Sequence, residues 1–226
     1  RMCTSGINDH IDGGFYRYSV DDLWMIPHFE KMLYDNGPMM SILCDGYMKF
    51  NDDLYIDRAK EIYNWAKLFM TSKEGVFYST IDADSEGSEG KYYIFSNDEL
   101  KESLESQEID LLNEYFLDLT KPNFEGKHHL HLQRKKEDDF KKNKHKFEKI
   151  FNKLSNLRKA KVLPSIDKKI LLSWNCLYIK GLIKLYKITK DENILKTINK
   201  ALDFITHKMM SSETIYSCFN QEPCFP

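Results

Sequence analysis

Arg17, Tyr18, His28 and Glu30 bring a cation, a phenol, an imidazole and a carboxylate into fourteen residues, and Asp35 follows five residues later. Together with the neighbouring aromatics Phe15, Tyr16 and Phe29, they have the composition of a lined pocket that moves protons or holds hydroxyls. Gly13 and Gly14 open the stretch with a tight turn, and Pro27 suits the first turn of a helix. On that reading His28 sits at a helix N-terminus, where free N–H groups oppose a charged imidazole, and a neutral His28 can serve as a base. At about 100° per residue, Glu30 lies about 200° around the helix from His28, whereas Asp35 shares its face. The candidate catalytic groups are therefore His28, Glu30 and Asp35, with Arg17 and Tyr18 as binding groups. The competing reading is a capped helix with a structural Lys31–Asp35 pair and a satisfied histidine.

Three further clusters carry polar chemistry. Asp82, Asp84 and Glu86 alternate before Gly87, in partial likeness to a calcium loop, but Tyr93 stands where an EF-hand needs its twelfth-position Glu. A strand-like Tyr92-Tyr93-Ile94-Phe95 follows in place of a helix, so calcium is disfavoured. The segment reads either as a polar hairpin tip or as a loop that aims carboxylates at sugar-like hydroxyls. Trp174 and Asn175 lie in an apolar helix. An indole face can floor a pyranose ring and an amide can both donate and accept, and core packing accounts for the pair equally well. His128, His129 and His131 cluster, but no Cys or carboxylate joins them at a metal-binding spacing, and no metal or other cofactor is expected.

Helical elements must position these groups. Ala59, Ile62, Tyr63, Ala66, Phe69 and Met70 line one side of a helix over 54–70, with charged residues opposite. Residues 192–209 repeat that amphipathic pattern. Residues 170–188 and 29–48 are apolar nearly all round and are expected to be covered on most sides, with Gly37-Pro38 kinking or breaking the earlier one. A buried helix followed by an amphipathic one thus occurs twice. Short β-like pieces around Tyr16, Tyr78 and Tyr216 are spaced by 62 and then 138 residues, or twice 69. A period of that size suggests repeated helical hairpins joined by β turns. The expected fold is all-α: a partial α/α toroid with short β-hairpins in its connecting loops, occupying residues 1–226 as one incomplete domain.

Composition narrows the partners. The net charge of −2 in 226 residues gives no global attraction to nucleic acid or a membrane surface. No apolar run has the length of a membrane helix and no secretory leader is visible, so a soluble cytoplasmic protein is expected. Cys3, Cys44, Cys176, Cys218 and Cys224 are odd in number, are scattered, and include no Cys-x-x-Cys, which favours reduced thiols. Residues 134–161 hold 12 Lys and Arg against 4 acids. Phe140, Phe147, Ile150, Phe151, Leu154 and Leu157 thread this block at helical spacing. It reads as an outer helix with a solvated basic face, and nucleic-acid binding there is disfavoured.

The ordered set of motifs resembles a known family. Gly-Gly-Phe-Tyr-Arg-Tyr-Ser-Val-Asp (13–21), Pro-His-Phe-Glu-Lys-Met-Leu-Tyr-Asp-Asn (27–36), Asp-Ala-Asp-Ser-Glu-Gly (82–87), Glu-Gly-Lys-Tyr-Tyr (89–93), Asn-Phe-Glu-Gly-Lys (123–127) and Asp-Lys-Lys-Ile-Leu-Leu-Ser-Trp-Asn (167–175) together look like thioredoxin-domain-containing proteins of the spermatogenesis-associated type. The resemblance implies a thioredoxin-like domain, absent from this chain, followed by a six-hairpin α/α toroid. At roughly 60 residues per hairpin the chain would hold about four of six, and the open ring could self-associate. Cys176 stands where the family pattern has Gly, and Gly37-Pro38 replaces residues that would continue a helix. Toroids of this kind resemble N-acylglucosamine epimerase and six-hairpin glycosidases. The implied activities are sugar epimerisation, isomerisation or glycoside cleavage at a cup that binds a sugar-like ligand. The alternative is a non-catalytic module that binds a sugar, peptide or partner and serves the thioredoxin-like domain.

Overall fold

The computed structural model describes residues 1–224 and divides into two compact units. The first comprises Arg1–Glu30 and Ala83–Ser165, the second Lys31–Asp82 and Ile166–Pro226, of which residues up to Cys224 are described.

The second unit holds the long helices. α1 (Leu33–Phe50) and α2 (Asp53–Trp65) form one hairpin, and a π-helical turn over Ala66–Met70 extends α2. α7 (Leu172–Thr189) and α8 (Glu192–Lys208) form the other. Asn51 and Lys190 end α1 and α7 in the left-handed conformation, and Asp52 and Asp191 cap the helices that follow. α1 packs against α7, so the two hairpins meet through their first helices. Gly37 and Gly181 allow the approach: a Cβ on Gly37 would lie 2.7 Å from the Tyr178 Cα, and one on Gly181 2.7 Å from the Gly37 carbonyl oxygen. Of the kink or break expected at Gly37-Pro38, the break does not occur, since α1 runs through both residues. Pro38 lies in the second turn of α1, where it removes only one ladder bond, and Gly37 is spent on helix contact. Two three-stranded antiparallel sheets finish this unit. β3 (Lys31–Met32), β4 (Thr80–Ile81) and β7 (Ile166–Asp167) form the first. β8 (Ile170–Leu171), β9 (Cys218–Asn220) and β10 (Glu222–Cys224) form the second. Cys218 and Cys224, distant from a pairing pattern in sequence, stand opposite each other as free thiols.

The first unit is less regular. β1 (Tyr18–Ser19) pairs with β2 (Pro27–His28), and β5 (Asp84–Ser85) with β6 (Ser88–Glu89). α3 (Asn97–Ser103), α4 (Ser106–Tyr115), α5 (Glu137–Asn143) and α6 (Glu148–Lys159) enclose a core of Phe95, Leu112, Phe116, Phe140, Phe147 and Leu154. A complete capping box at Ser96 and Glu99 starts α3.

Several expectations need correction. Pro27 and His28 form a strand, not a helix start; the helix begins at Leu33. Among the described residues there are two long helical hairpins and not four. Residues 83–165 belong with the N-terminal segment and do not continue the repeat. Short strands accompany the helices, so all-α is only an approximation. Residues 92–95 form no strand; Phe95 makes a single bridge to His128. The helix over 134–161 is four short pieces, and its aromatics Phe140 and Phe147 are buried. Leu177 and Ile183 on α7, and Ile42 and Met48 on α1, are exposed, so neither helix is covered all round among the described residues.

Candidate active site

The β1–β2 register sets Tyr18 directly opposite His28, and their rings stack with centroids 4.9 Å apart. Between the strands, the Asp21 carboxylate accepts from the Leu23, Met25 and Ile26 N–H groups, which fixes a loop containing Trp24 at φ 63°. Two residues beyond His28, the Glu30 carbonyl accepts from the Arg17 N–H, which continues the pairing past the strands. The Arg17 guanidinium donates to Glu30 Oε2 at 2.9 Å.

The second hairpin completes the cluster. Glu86 and Gly87 both have positive φ, the two-residue turn that suits a twisted hairpin, and this sets Asp84 opposite Glu89. Gly90 follows at φ +71°, and a Cβ there would lie 2.6 Å from Phe29 Cε2. Only glycine lets the Phe29 ring settle against this backbone, and that docking carries His28 to Glu89. Nδ1 of His28 lies 2.7 Å from Glu89 Oε1, which also accepts the Phe29 N–H at 3.3 Å. Nε2 of His28 lies 3.6 Å from Glu30 Oε2. A carboxylate only accepts, so the short contact puts the ring proton on Nδ1 and leaves the Nε2 lone pair to receive another. Glu30, held by Arg17, is near enough to Nε2 to stabilise a positive charge on the ring. His28 is 25% exposed at its side chain, so solvent and ligands reach it.

Beneath this cluster lies an aromatic floor. Phe29 is fully buried among Tyr16, Tyr93, Phe124 and His129. Burial holds the His129 imidazole neutral, its pKa pushed down to about 3, while Nε2–H donates to the Gly6 carbonyl at 2.7 Å. Burial also lowers the pKa values of His128 and His131 and lifts the Tyr16 and Tyr93 phenols well above their usual range. Arg158 is buried in the same unit. Burial works against its charge, but Asp9 and Asp12 hold it protonated, at 2.8 and 3.0 Å from Nη1. Nη2 donates to the Tyr93 carbonyl. Nε2 of His128 and Nε2 of His129 thus serve local hydrogen bonds, to Asn97 Oδ1 and to the Gly6 carbonyl, and no group of three metal-ligating side chains occurs among the described residues.

Of the residues singled out from sequence, Arg17, Tyr18, His28 and Glu30 come together. Asp84 and Glu86 lie exposed on the hairpin that carries Glu89, with Glu86 paired to Lys91 at 3.0 Å. Asp35, Asp82, Trp174 and Asn175 belong to the second unit. Asp35 sits in the first turn of α1; the shared face with His28 assumed a helix through residue 28 and does not exist. The half-buried Trp174 packs its ring edge-on to Tyr34. Asn175 is fully buried, and its amide joins the Phe77 N–H and C=O and the Leu171 C=O, so it holds backbone and not ligand. Glu89 is the residue that sequence reasoning missed. The signal was the Glu86-Gly87 dipeptide: a two-residue turn there dictates the pairing that puts Glu89 beside Asp84.

A cavity of about 540 Å³ opens from Glu89, lined also by Ser88, Lys91, Ile94, Phe124 and Lys127. No helix among the described residues is long and apolar enough to cross a membrane.

No family model matches the chain. An uncharacterised protein of Caenorhabditis elegans is 30% identical over 237 residues, covering 90% of this chain. Spermatogenesis-associated protein 20 of Mus musculus and that of Homo sapiens are each 38% identical over 109 residues, or 46% of this chain. The matches span 32% of the worm protein and 14% of each mammalian one, so the chain corresponds to a part of these relatives. Among solved structures, an inactive variant of the α-1,6-mannanase GH76A of Salegentibacter sp. HEL1_6, in complex with α-1,6-mannotetrose, matches with a TM-score of 0.50 at 13% identity. That match covers 93% of this chain and 39% of the mannanase, an α/α-toroid enzyme. The chain is thus a homologue of part of spermatogenesis-associated protein 20, and its fold is shared with part of an α/α toroid.

Proposed function

We propose that the first unit carries a proton-transfer site for a sugar-like substrate, with His28 as general base. The observation that carries this reading is the 2.7 Å bond from His28 Nδ1 to Glu89. It fixes the tautomer and aims Nε2 away from Glu89. Nε2 then takes a proton from the carbon beside a sugar carbonyl, and Glu30 stabilises the resulting imidazolium. Arg17 holds Glu30 in place. Tyr18, about half exposed, offers its ring as an apolar wall for the sugar. Asp84 and Glu86, on the adjoining hairpin, accept from sugar hydroxyls. Return of the proton by His28 to the adjacent carbon, the former carbonyl carbon, makes the reaction an aldose–ketose isomerisation, which a single base can run; epimerisation would need a second acid on the opposite face. Glycoside cleavage is less well supported, because it needs two carboxylates free to flank the scissile bond, whereas Glu30 and Glu89 both attend His28. The shared fold with a mannanase that binds mannotetrose supports a carbohydrate as the ligand class.

The test is hydrogen exchange. The full chain is incubated in deuterated buffer with glucose, mannose, N-acetylglucosamine and cellobiose, and exchange of the C2 proton is followed by NMR. The expected result is enzyme-dependent exchange for at least one sugar, reduced about 100-fold or more by His28→Gln. Glu89→Gln, which frees the ring to turn, gives an intermediate loss. Sugar binding without exchange would make the site a binding module, and no binding at all would overturn the reading.

A further inference from the structure

We infer that the cavity beside Glu89 selects sugars bearing an acidic group, with Lys127 as the residue that recognises the anion. The inference rests on the carbohydrate reading of the His28 site. Two hairpins of like design border the cavity. One turns at Glu86-Gly87 and the other at Glu125-Gly126, and all four residues have positive φ. Phe124 and Lys127 close the second turn as bridge partners. Phe124 is half-buried and presents the part of its ring not packed on Phe29, which gives the cavity an apolar wall. Glu89 belongs both to this cavity and to the His28 cluster, so a ligand whose reacting carbon meets His28 extends into the cavity.

Among the described basic side chains around the cavity, one makes no ion pair. Lys91 pairs with Glu86 at 3.0 Å. In the smaller cavity next to it, about 200 Å³ in volume and sharing Lys91 and Lys127, Lys161 pairs with Glu99 at 2.9 Å. Glu89 is engaged by His28, and Glu125 stands exposed at its turn. Lys127 has no ion-pair partner among the described residues, yet it lines both cavities and its field reaches Glu99 and Lys161. A half-buried ammonium between two cavities, beside an aromatic wall and a hydrogen-bonding Ser88, fits a polyhydroxylated ring with a carboxylate or phosphate at one end.

The experiment titrates the full chain with glucose, glucuronate and glucose phosphate, monitored by NMR. At least one acidic sugar is expected to bind about ten- to a hundredfold more tightly than glucose, the range of one charge-assisted hydrogen bond. The two acidic arms separate a carboxylate ligand from a phosphate ligand. Lys127→Ala should erase the preference, and Lys127→Arg should keep it. Equal affinity for neutral and acidic sugars, or a preference that survives Lys127→Ala, overturns this inference and leaves the proton-transfer reading standing. Failure of every sugar to bind overturns both. A structural role for Lys127 would instead weaken all three ligands together and lower the melting temperature.

Discussion

His129 makes the stability of the first unit depend on pH in a way that one substitution should remove. The ring is fully buried against Tyr16 and Phe29, beneath the strand that carries His28. Its pKa falls to about 3 in the folded protein, mainly because burial disfavours the charged ring. In the unfolded chain the same ring titrates near 6.5. Between those two values the unfolded state binds more protons, so stability falls as the pH drops. The contribution is whole above about pH 6.5, declines through the window below it, and is exhausted near pH 3. Each unit below 6.5 costs about 1.4 kcal/mol, so at about pH 5 His129 alone removes on the order of 2 kcal/mol. For a chain of this size that is roughly 4–8 °C in Tm. His129→Gln retains a donor for the Gly6 carbonyl and does not titrate. The assay is urea unfolding of both proteins, followed by circular dichroism at about pH 7.5 and about pH 5. The wild type should lose about 2 kcal/mol more than the variant. His128 and His131, also held neutral by burial, act with the same sign but cancel in the difference. Parallel losses in the two proteins would refute the assignment of a neutral, buried His129.

Two further outcomes test the supports of the site. Gly90→Ala places a methyl into the Phe29 ring at a left-handed backbone position, and should cost about 2–4 kcal/mol from overpacking and strain together. It should also release the His28–Glu89 contact, seen as a shift of the His28 ring resonances by NMR. Arg158→Met leaves Asp9 and Asp12 buried without their cation, and should cost about 3–5 kcal/mol by urea unfolding. A loss below about 1 kcal/mol would mean that the two carboxylates find other partners.

The helical hairpins were legible in the sequence because their causes are local. Apolar spacing over 54–70 and 192–209 reports one buried face, and α2 and α8 lie there within a few residues. The polar tip at residues 84–89 was likewise readable, since a Glu-Gly pair with positive φ specifies a two-residue turn. Pro27 misled, because proline suits a strand edge as well as a first helical turn. Only pairing with Tyr18 and Ser19 decides between them, and that pairing is not local. The even repeat misled for a similar reason: short aromatic strands recur in both units, although residues 83–165 fold with the N-terminus.

The sequence by itself determined the residue types at the site: a histidine with flanking carboxylates, an arginine, a tyrosine and glycine turns. The tertiary structure alone decided which of them meet. It brought Glu89 across 61 residues to His28. It turned Gly37 from an expected helix breaker into the contact point of α1 and α7, and it committed the Asn175 amide to backbone. The reason is physical. Periodicity and turn chemistry act over a few residues, whereas the burial of Phe29 against Gly90 gains its free energy only when two distant hairpins dock, and no local pattern encodes that encounter.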